Sequence, residues 1–171
     1  KYLSHLSYAN YMNPQQGAIV SWVLAKSYES IPALYEDANL EKALLEETLW
    51  GADYLHRILD ENGYFYMTVF DQWGSAEERV ITGYTGLDGA LTENYQAAFR
   101  EGGGIAIAAL ARAYGLSLTL GEKLSIKGEF TPEQYLLDAE RAFEHLQEHN
   151  EEYCDNGEEN IIDDYTALIA A

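Results

Sequence analysis

The feature that most constrains this chain is a run of ten residues, Gly102–Ala111, without a single polar side chain. The surrounding pattern predicts a helix over residues 93–115 with Thr92 as its N-cap. A helix that is apolar on all sides has to be buried on all sides. The three glycines that open the run each cost a helix about 1 kcal/mol relative to Ala, which is tolerated where another backbone or a ligand comes close. The sequence therefore predicts a central helix enclosed by the rest of the protein.

The other helical segments alternate in hydrophobic character around this one. Helix 14–30 is apolar all round and is predicted to be buried. The helix from Asn39 to Asn62-Gly63 and the helix that begins at Thr131 are amphipathic, which predicts one side in water. The last helix follows the Asn156-Gly157 turn. The stretches between them predict a short strand over 64–70, a loop over 71–92 and a hairpin-like excursion over 116–130.

Alternation of buried and amphipathic helices favours one kind of architecture. A simple bundle of amphipathic helices has no reason to bury every second helix, whereas two concentric layers of helices do. The pattern therefore predicts an all-α fold of the α/α-toroid type with a short β excursion. No repeat of fixed period is visible.

The charge narrows the classes of partner. The chain has 10 Lys and Arg against 29 Asp and Glu, a formal net charge of −19. Such a field repels phosphates, so nucleic acids and anionic membranes are not expected as partners. No apolar run approaches the length of a membrane span, no signal segment is expected, and the single cysteine, Cys154, cannot form an intramolecular disulfide. These observations leave the compartment open.

Two motifs have the residue types of metal sites. His145-Leu146-Gln147-Glu148-His149 has the H-x-x-E-H spacing of an inverted zinc-protease motif. The favoured interpretation is a solvated helix end. Residues 155–160 together with Asp163 and Asp164 are rich enough in oxygen for Ca²⁺ but lack EF-hand spacing. An acidic turn is the favoured interpretation, so no cofactor is expected and structural calcium is the alternative.

The candidate binding residues lie in two loops rich in aromatic side chains. Aromatic faces stack on the apolar faces of sugar rings, and neighbouring acids and arginines hydrogen-bond sugar hydroxyls. Trp22 and Trp50 lie within helices and are predicted to be core residues. No Ser–His–Asp or Cys–His arrangement is evident, and the acidic surroundings of Cys154 are expected to raise the pKa of its thiol. The candidate binding residues are Asp71, Trp73, Arg79 and Tyr84 in the long loop, and Tyr8, Asn10 and Tyr11 in the opening loop.

Three segments resemble glycoside hydrolase family nine, the inverting cellulase family. Leu49-Trp50-Gly51-Ala52-Asp53-Tyr54-Leu55 resembles its W-G-A-D-Y/F-L helix, Lys1-Tyr2-Leu3 resembles the residues after its D-A-G-D-x-G-K-Y/F segment, and Asp163–Leu168 resembles a later helix. Their order and separations agree across essentially the whole chain. The resemblance implies an (α/α)6 barrel of twelve helices in two rings, of which residues 1–171 are expected to be one partial domain.

The resemblance also implies hydrolysis of β-1,4-glycosidic bonds with inversion. In the family, the catalytic base comes from the D-A-G-D segment and the acid from a Glu near the end of the domain, and this sequence contains neither segment. No catalytic residue is therefore assigned, and this chain alone is expected to be inactive. The sequence of residues 8–16 differs from that of the cellulases. It resembles a bacterial, endoglucanase-related branch of the family, some members of which act on glucosamine oligosaccharides. The expected partner is an oligosaccharide, of either the cello or the glucosamine type.

Two other classes of protein remain open. Another α/α-barrel carbohydrate enzyme, such as an epimerase or a lyase, would share the alternation of helices but lack the acid pair. A non-catalytic helical scaffold would need an exposed apolar groove and a repeat. Because apolar surface of buried helices would be left uncovered, the isolated chain is expected to be unstable or to associate.

Overall fold

The computed structural model describes residues 11–71, 79–83 and 94–171, and this part of the chain is mostly helical, which confirms the all-α class. Two small antiparallel sheets accompany the helices, one with the strand order β1-β3-β4 and one that pairs β2 with β5. The elements are β1 Tyr11–Met12, α1 Pro14–Ser30, α2 Pro32–Asp37, α3 Glu41–Arg57, β2 Phe65–Tyr66, β3 Thr68–Phe70, β4 Val80–Thr82, β5 Gln96–Ala97, a π-helical segment Phe99–Gly103, α4 Gly104–Leu116, a second π-helical segment Ser117–Gly121, α5 Glu122–Leu124, α6 Pro132–Tyr153 and α7 Ile161–Ala170.

The long helices form two layers. Helix α4 packs between α1 and α7 in one layer, and α3 and α6 lie in the other, where they pack against α1 and α4, respectively. The helices thus alternate between layers along the chain, as their hydrophobic character predicts. The core is built from the facing sides of α3, α4 and α6, and Leu45, Leu110 and Leu146 are among its fully buried side chains.

The three glycines at the start of α4 are places of close backbone approach. A Cβ on Gly102 would lie 2.5 Å from the backbone nitrogen of Gln15 in α1, and one on Gly104 would lie 2.5 Å from the carbonyl oxygen of Thr166 in α7. A Cβ on Gly103 would lie 2.6 Å from Leu146 of α6. Gly102 also has a φ of 121°, which L side chains rarely adopt. The expectation that these glycines let another backbone come close is confirmed.

The ends of this central helix differ from the prediction. It begins at Phe99, because Gln96–Ala97 pair with β2, and Thr92 lies outside the described residues. It continues through Leu124, so the predicted hairpin-like excursion is wrong for residues 116–124. Leu116 and Leu120 lie one turn apart, and both are buried, which favours continuing the helix.

The helix Phe99–Leu124 is long and apolar enough to cross a membrane by length and composition alone. This differs from the expectation that no apolar segment approaches the length of a membrane span. In the fold, 67% of its most apolar window is buried against the other helices, which is also the property of a core helix in a globular protein.

Capping signals account for the better-predicted boundaries. The Thr131 side chain accepts from the backbone N–H of Gln134 at the start of α6, as predicted. Asn160 forms a capping box with Asp163 at the start of α7. Asn39 does not cap α3, because it has a left-handed φ of 55° and the helix starts at Glu41. Helix α3 also ends at Arg57, earlier than predicted.

On the outer sides of α1 and α3, the sequence predicts more buried side chains than the structure shows. In α1, Ala18, Ser21 and Ala25 are buried, but Ile19, Val20 and Val23 are about half exposed. Trp50 is 75% exposed, so its prediction as a core residue is wrong, and it lines a groove of about 510 Å³ between α1 and α3. Trp22, by contrast, is partly buried and packs against the core. The physical reason is that the described elements cover only one side of α1 and α3.

Helix α7 has the same property on the other flank. Its exposed apolar residues are Ile161, Ile162, Tyr165, Leu168 and Ile169.

We expect Gly104→Ala to lower the free energy of unfolding by about 1–3 kcal/mol, because a methyl group there would push α7 away from α4. Gly115→Ala is the matched control, since Gly115 lies in the same helix with no atom within 4 Å of the position that a methyl group would take. That change should be neutral or stabilise by up to about 1 kcal/mol. Urea denaturation of both variants checks this, and an equal loss in the two would contradict the close-approach role.

Candidate functional site

Both small sheets lie at the same end of the two helix layers, here called the sheet end. The starts of α1 and of the central helix meet there, since Gly102 packs on the backbone of Gln15. The start of α7 joins them through Asp163, which accepts from the side chain of Arg100 at 3.1 Å. The end of α6 joins them through Asn150, whose side-chain oxygen accepts from the backbone N–H of Phe99 at 2.6 Å. Three helix N-termini and two sheets thus share one end of the fold.

The three-stranded sheet gathers some of the predicted binding residues. Tyr11 pairs with Phe70, and Phe70 pairs with Val80. Asp71 directly follows β3, and Arg79 directly precedes β4. Both therefore lie at the end of these strands where Tyr11 lies, here called the sheet edge. Asp71 is buried, with 9% of its surface exposed, whereas Arg79 is exposed. The register therefore brings the backbones of Tyr11, Asp71 and Arg79 together, although the sequence predicted them in two separate loops.

The remaining predicted binding residues, Tyr8, Asn10, Trp73 and Tyr84, lie outside the described residues. Their assignment stays a prediction.

A cleft of about 790 Å³ lies at the opposite end, around the start of α6 and the segment 125–131. Of the predicted binding residues that the structure describes, Tyr11, Asp71 and Arg79, none lines it. The carboxylate of Glu129 on its wall forms an ion pair with Arg57.

Asp53, the acid of the segment that resembles the W-G-A-D-Y/F-L helix, has a structural role. It is 6% exposed and accepts from the backbone N–H groups of Glu129 and Phe130 at 3.0 and 3.3 Å. It also accepts from the Tyr135 hydroxyl at 2.6 Å. Burial and this hydrogen bond raise the pKa of Tyr135 above its ordinary value. Asp53 therefore fixes the segment before α6 against α3.

The acidic loop between α6 and α7 surrounds an arginine. Arg100, at the start of the central helix, donates to Asp155 at 2.7 Å, to Asn156 at 2.9 Å and to Asp163 at 3.1 Å. It also donates to the carbonyl oxygen of Glu158 at 3.0 Å and to Glu101 at 2.9 Å. Its side chain is 9% exposed.

In the calcium alternative, a bound ion would neutralise these carboxylates. In the structure, the guanidinium group of Arg100 lies among them and carries a positive charge. Burial alone would lower the pKa of Arg100, but the hydrogen bond to Glu101 and the charge of Asp163 outweigh it and raise that pKa. Sequence reasoning missed Arg100. The available signal was the imbalance of residues 133–171, which hold 12 acids and one base, Arg141.

The H-x-x-E-H histidines bond to neighbours on their own helix. His145 Nε2 lies 2.7 Å from the Tyr153 hydroxyl, and His149 Nδ1 lies 3.3 Å from Glu152. Across residues 11–71, 79–83 and 94–171, no group of three or more His, Cys, Asp or Glu side chains is placed to hold a metal ion.

Cys154 is buried beside the Arg100 network. Its thiol donates to the carbonyl oxygen of Asn150 at 3.3 Å. Burial, followed by the charge of Asp163, raises the pKa of Cys154 to about 11. The direction agrees with the sequence expectation, and it makes the thiol a poor nucleophile at neutral pH.

No known family model matches the sequence, and no curated protein matches it. The family resemblance therefore rests on the three motifs quoted above.

Arg100→Gln is expected to lower the free energy of unfolding by about 3–5 kcal/mol, because it removes the cation that pairs with the buried carboxylate of Asp163. Lys42→Gln is the control, since Lys42 pairs with Glu46 on an exposed face and its loss should cost under about 0.5 kcal/mol. Chemical denaturation measures both. The rate at which Cys154 reacts with a thiol reagent should rise in Arg100→Gln alone, and unchanged reactivity would show that Arg100 does not hold this loop.

Asp53→Asn and Tyr135→Phe should each destabilise the protein, and the double variant should lose less than the sum of the two. The reason is that both remove the same buried hydrogen bond, which predicts a coupling energy of about 1–3 kcal/mol. A double-mutant cycle by urea denaturation measures it. Additive losses would mean that the two side chains act independently.

Proposed function

We propose that this chain is part of an α/α-toroid glycoside hydrolase that cleaves β-1,4-glycosidic bonds of an oligosaccharide with inversion. The observation that carries the proposal is the sheet end, where Tyr11, Asp71 and Arg79 meet beside the starts of α1, α4 and α7. The order and spacing of the motifs that resemble glycoside hydrolase family nine add to it.

The ring architecture is part of the same proposal. Helix α4 has neighbours on both sides within its layer, and α1 and α7 each have one. Further helical hairpins of the same kind beside α1 and α7 would cover Val20, Val23 and Leu168, which are exposed here. Continuing both layers in this way gives the closed double ring of an (α/α)6 barrel.

In this mechanism, the described residues supply binding rather than bond cleavage. Inversion needs a carboxylate base and a carboxylic acid about 6.5–9.5 Å apart, with room for water between the base and the sugar. We assign both to segments outside this sequence, as the resemblance implies. Asp71 and Arg79 at the sheet edge would hydrogen-bond sugar hydroxyls.

The charge of the chain favours an amino sugar over a neutral one. A net charge of −19 attracts cations, and the ammonium group of a glucosamine residue is a cation at neutral pH. The buried carboxyl group of Asp71 is the described group at the sheet edge that is suited to pair with it.

The test uses the full-length protein that contains this segment. It is incubated with a glucosamine tetramer and with cellotetraose, and the first product is followed by proton NMR of its anomeric hydrogen. We expect the α-anomer, since inversion of a β-bond yields it. Appearance of the β-anomer, or no cleavage of either tetramer, would overturn the proposal, and cleavage of cellotetraose alone would overturn the amino-sugar preference.

Asp71→Asn should reduce kcat/KM for the glucosamine tetramer by roughly tenfold or more, as expected for loss of a hydrogen bond to a charged group. The effect on cellotetraose should be under about threefold, because a neutral hydroxyl can still bond to the amide. Asp164→Asn is the matched control, since Asp164 is an exposed acid on α7 with the same change of charge. Equal losses on the two substrates would contradict a role for Asp71 in selecting the amino group.

A further inference from the structure

The last turns of α6 have three rings on one face that the proposed function does not use. The ring centroids of His145 and His149 are 4.5 Å apart, and those of His149 and Tyr153 are 6.4 Å apart. A 2.7 Å hydrogen bond joins His145 Nε2 and the Tyr153 hydroxyl, which are the first and the last residue of the three. The spacing i, i+4, i+8 places all three on one side of the helix.

The turn that follows α3 lies directly on this face. Gly63 has a φ of 103°, and a Cβ there would lie 2.8 Å from the Cβ of His145. The ring of Tyr64 is 5.9 Å from that of His145 and 5.8 Å from that of Tyr153. Asp60, at the start of the turn, accepts from the Tyr66 hydroxyl at 2.7 Å. His145 is therefore half-buried between α6 and residues 60–64.

The charged groups around His145 act in opposite directions. Burial, followed by the charge of His149, lowers the pKa of His145 below its ordinary value of 6.5. Glu148 and Glu152 on α6 and Asp60 on the turn oppose this, and the lowering prevails. The tyrosine hydroxyls around it stay neutral in this range, since burial and carboxylates raise the pKa values of Tyr64, Tyr66 and Tyr153.

We propose that His145 is a pH-sensitive latch, which holds residues 60–64 on α6 while its ring is neutral and releases them when the ring is protonated. The closed form binds fewer protons than the open form. The free energy by which neutral His145 favours the closed form is therefore complete above pH 6.5, and it is lost as the pH falls below that value.

Release of residues 60–64 from α6 would affect the sheet end, because only a short stretch of chain separates the two. Residues 60–64 lead directly into β2, which pairs with β5, and a single residue, Ala98, separates β5 from the start of the central helix. The backbone N–H of Tyr66 also donates to the carbonyl oxygen of Ile58, which ties both ends of the turn together. Opening of the turn thus loosens the smaller of the two sheets.

Hydrogen exchange followed by mass spectrometry tests the latch without any assumption about substrate. Protection factors, corrected for the intrinsic effect of pH, are compared at pH 7.0 and 5.5 for the peptide that covers residues 58–67. We expect protection in the wild type to fall by up to about eightfold, the limit over this pH range for one histidine with an ordinary pKa of 6.5. In His145→Gln, which keeps a polar side chain near Tyr153, protection should be nearly independent of pH.

Two further variants keep the test decisive. His56→Gln is the matched control, because His56 bonds to Asp138 outside this cluster, and it should keep the wild-type fall. His149→Gln should show a smaller fall than wild type, since a positive neighbour of His145 has been removed, and this prediction stands if His145→Gln does not fold. The proposal is overturned by an equal fall in His145→Gln and wild type, by no fall in wild type, or by an unreduced fall in His149→Gln.

Discussion

Close approach of backbones at three consecutive glycines fixes the spacing of this fold. Gly102 admits the start of α1, Gly103 admits Leu146 of α6, and Gly104 admits the backbone of α7. A methyl group at any one of them would meet a neighbour at 2.5–2.6 Å, where carbon atoms do not pack. Glycine weakens a helix by its flexibility, and here that cost is offset by dense packing on three sides at once. The central helix can therefore sit between α1 and α7, and against α6, at distances that larger residues would not allow.

The charges of the sheet end are arranged around the same point. Arg100 lies two residues before the first of these glycines, and it binds both the loop after α6 and the first turn of α7. Asn150 adds a bond from α6 to the backbone of Phe99 and donates to Asp163 at 3.2 Å. A buried arginine is stable only when its charge is compensated, and the surplus of acids in residues 133–171 supplies the compensation. The position of α7 against Gly104 thus depends on electrostatics as much as on packing.

Local signals in the sequence predicted the helices, and long-range contacts account for what it missed. Pro14 and Thr131 mark helix starts within a few residues of chain, so those bounds could be predicted. Trp50 was wrongly placed in the core because periodicity indicates which side of a helix is apolar and does not tell whether anything covers it. Asp71 and Arg79 were proposed from residue type and loop length, and only the pairing of β1 with β3 and of β3 with β4 shows that they lie beside Tyr11. Strands of two or three residues leave almost no period to detect, so the chemistry of the site could be predicted in part, and its assembly could not.

The two flanks of the fold connect the packing to the proposed architecture. In its own layer α4 is covered on both sides, and most of its apolar residues are buried, whereas α1 and α7 each turn apolar side chains such as Val20 and Leu168 outward. Exposed apolar surface of this extent is unfavourable for a monomer. Helices α1 and α7 lie at the two sides of the same layer. Further helices that pack on them as α4 does would cover the exposed apolar side chains on both sides with the same kind of contact. A layer extended by equivalent contacts on both flanks either stays open or closes, and closure is the arrangement that leaves no flank exposed. The uncovered residues of α1 and α7 thus support the proposed ring independently of any motif.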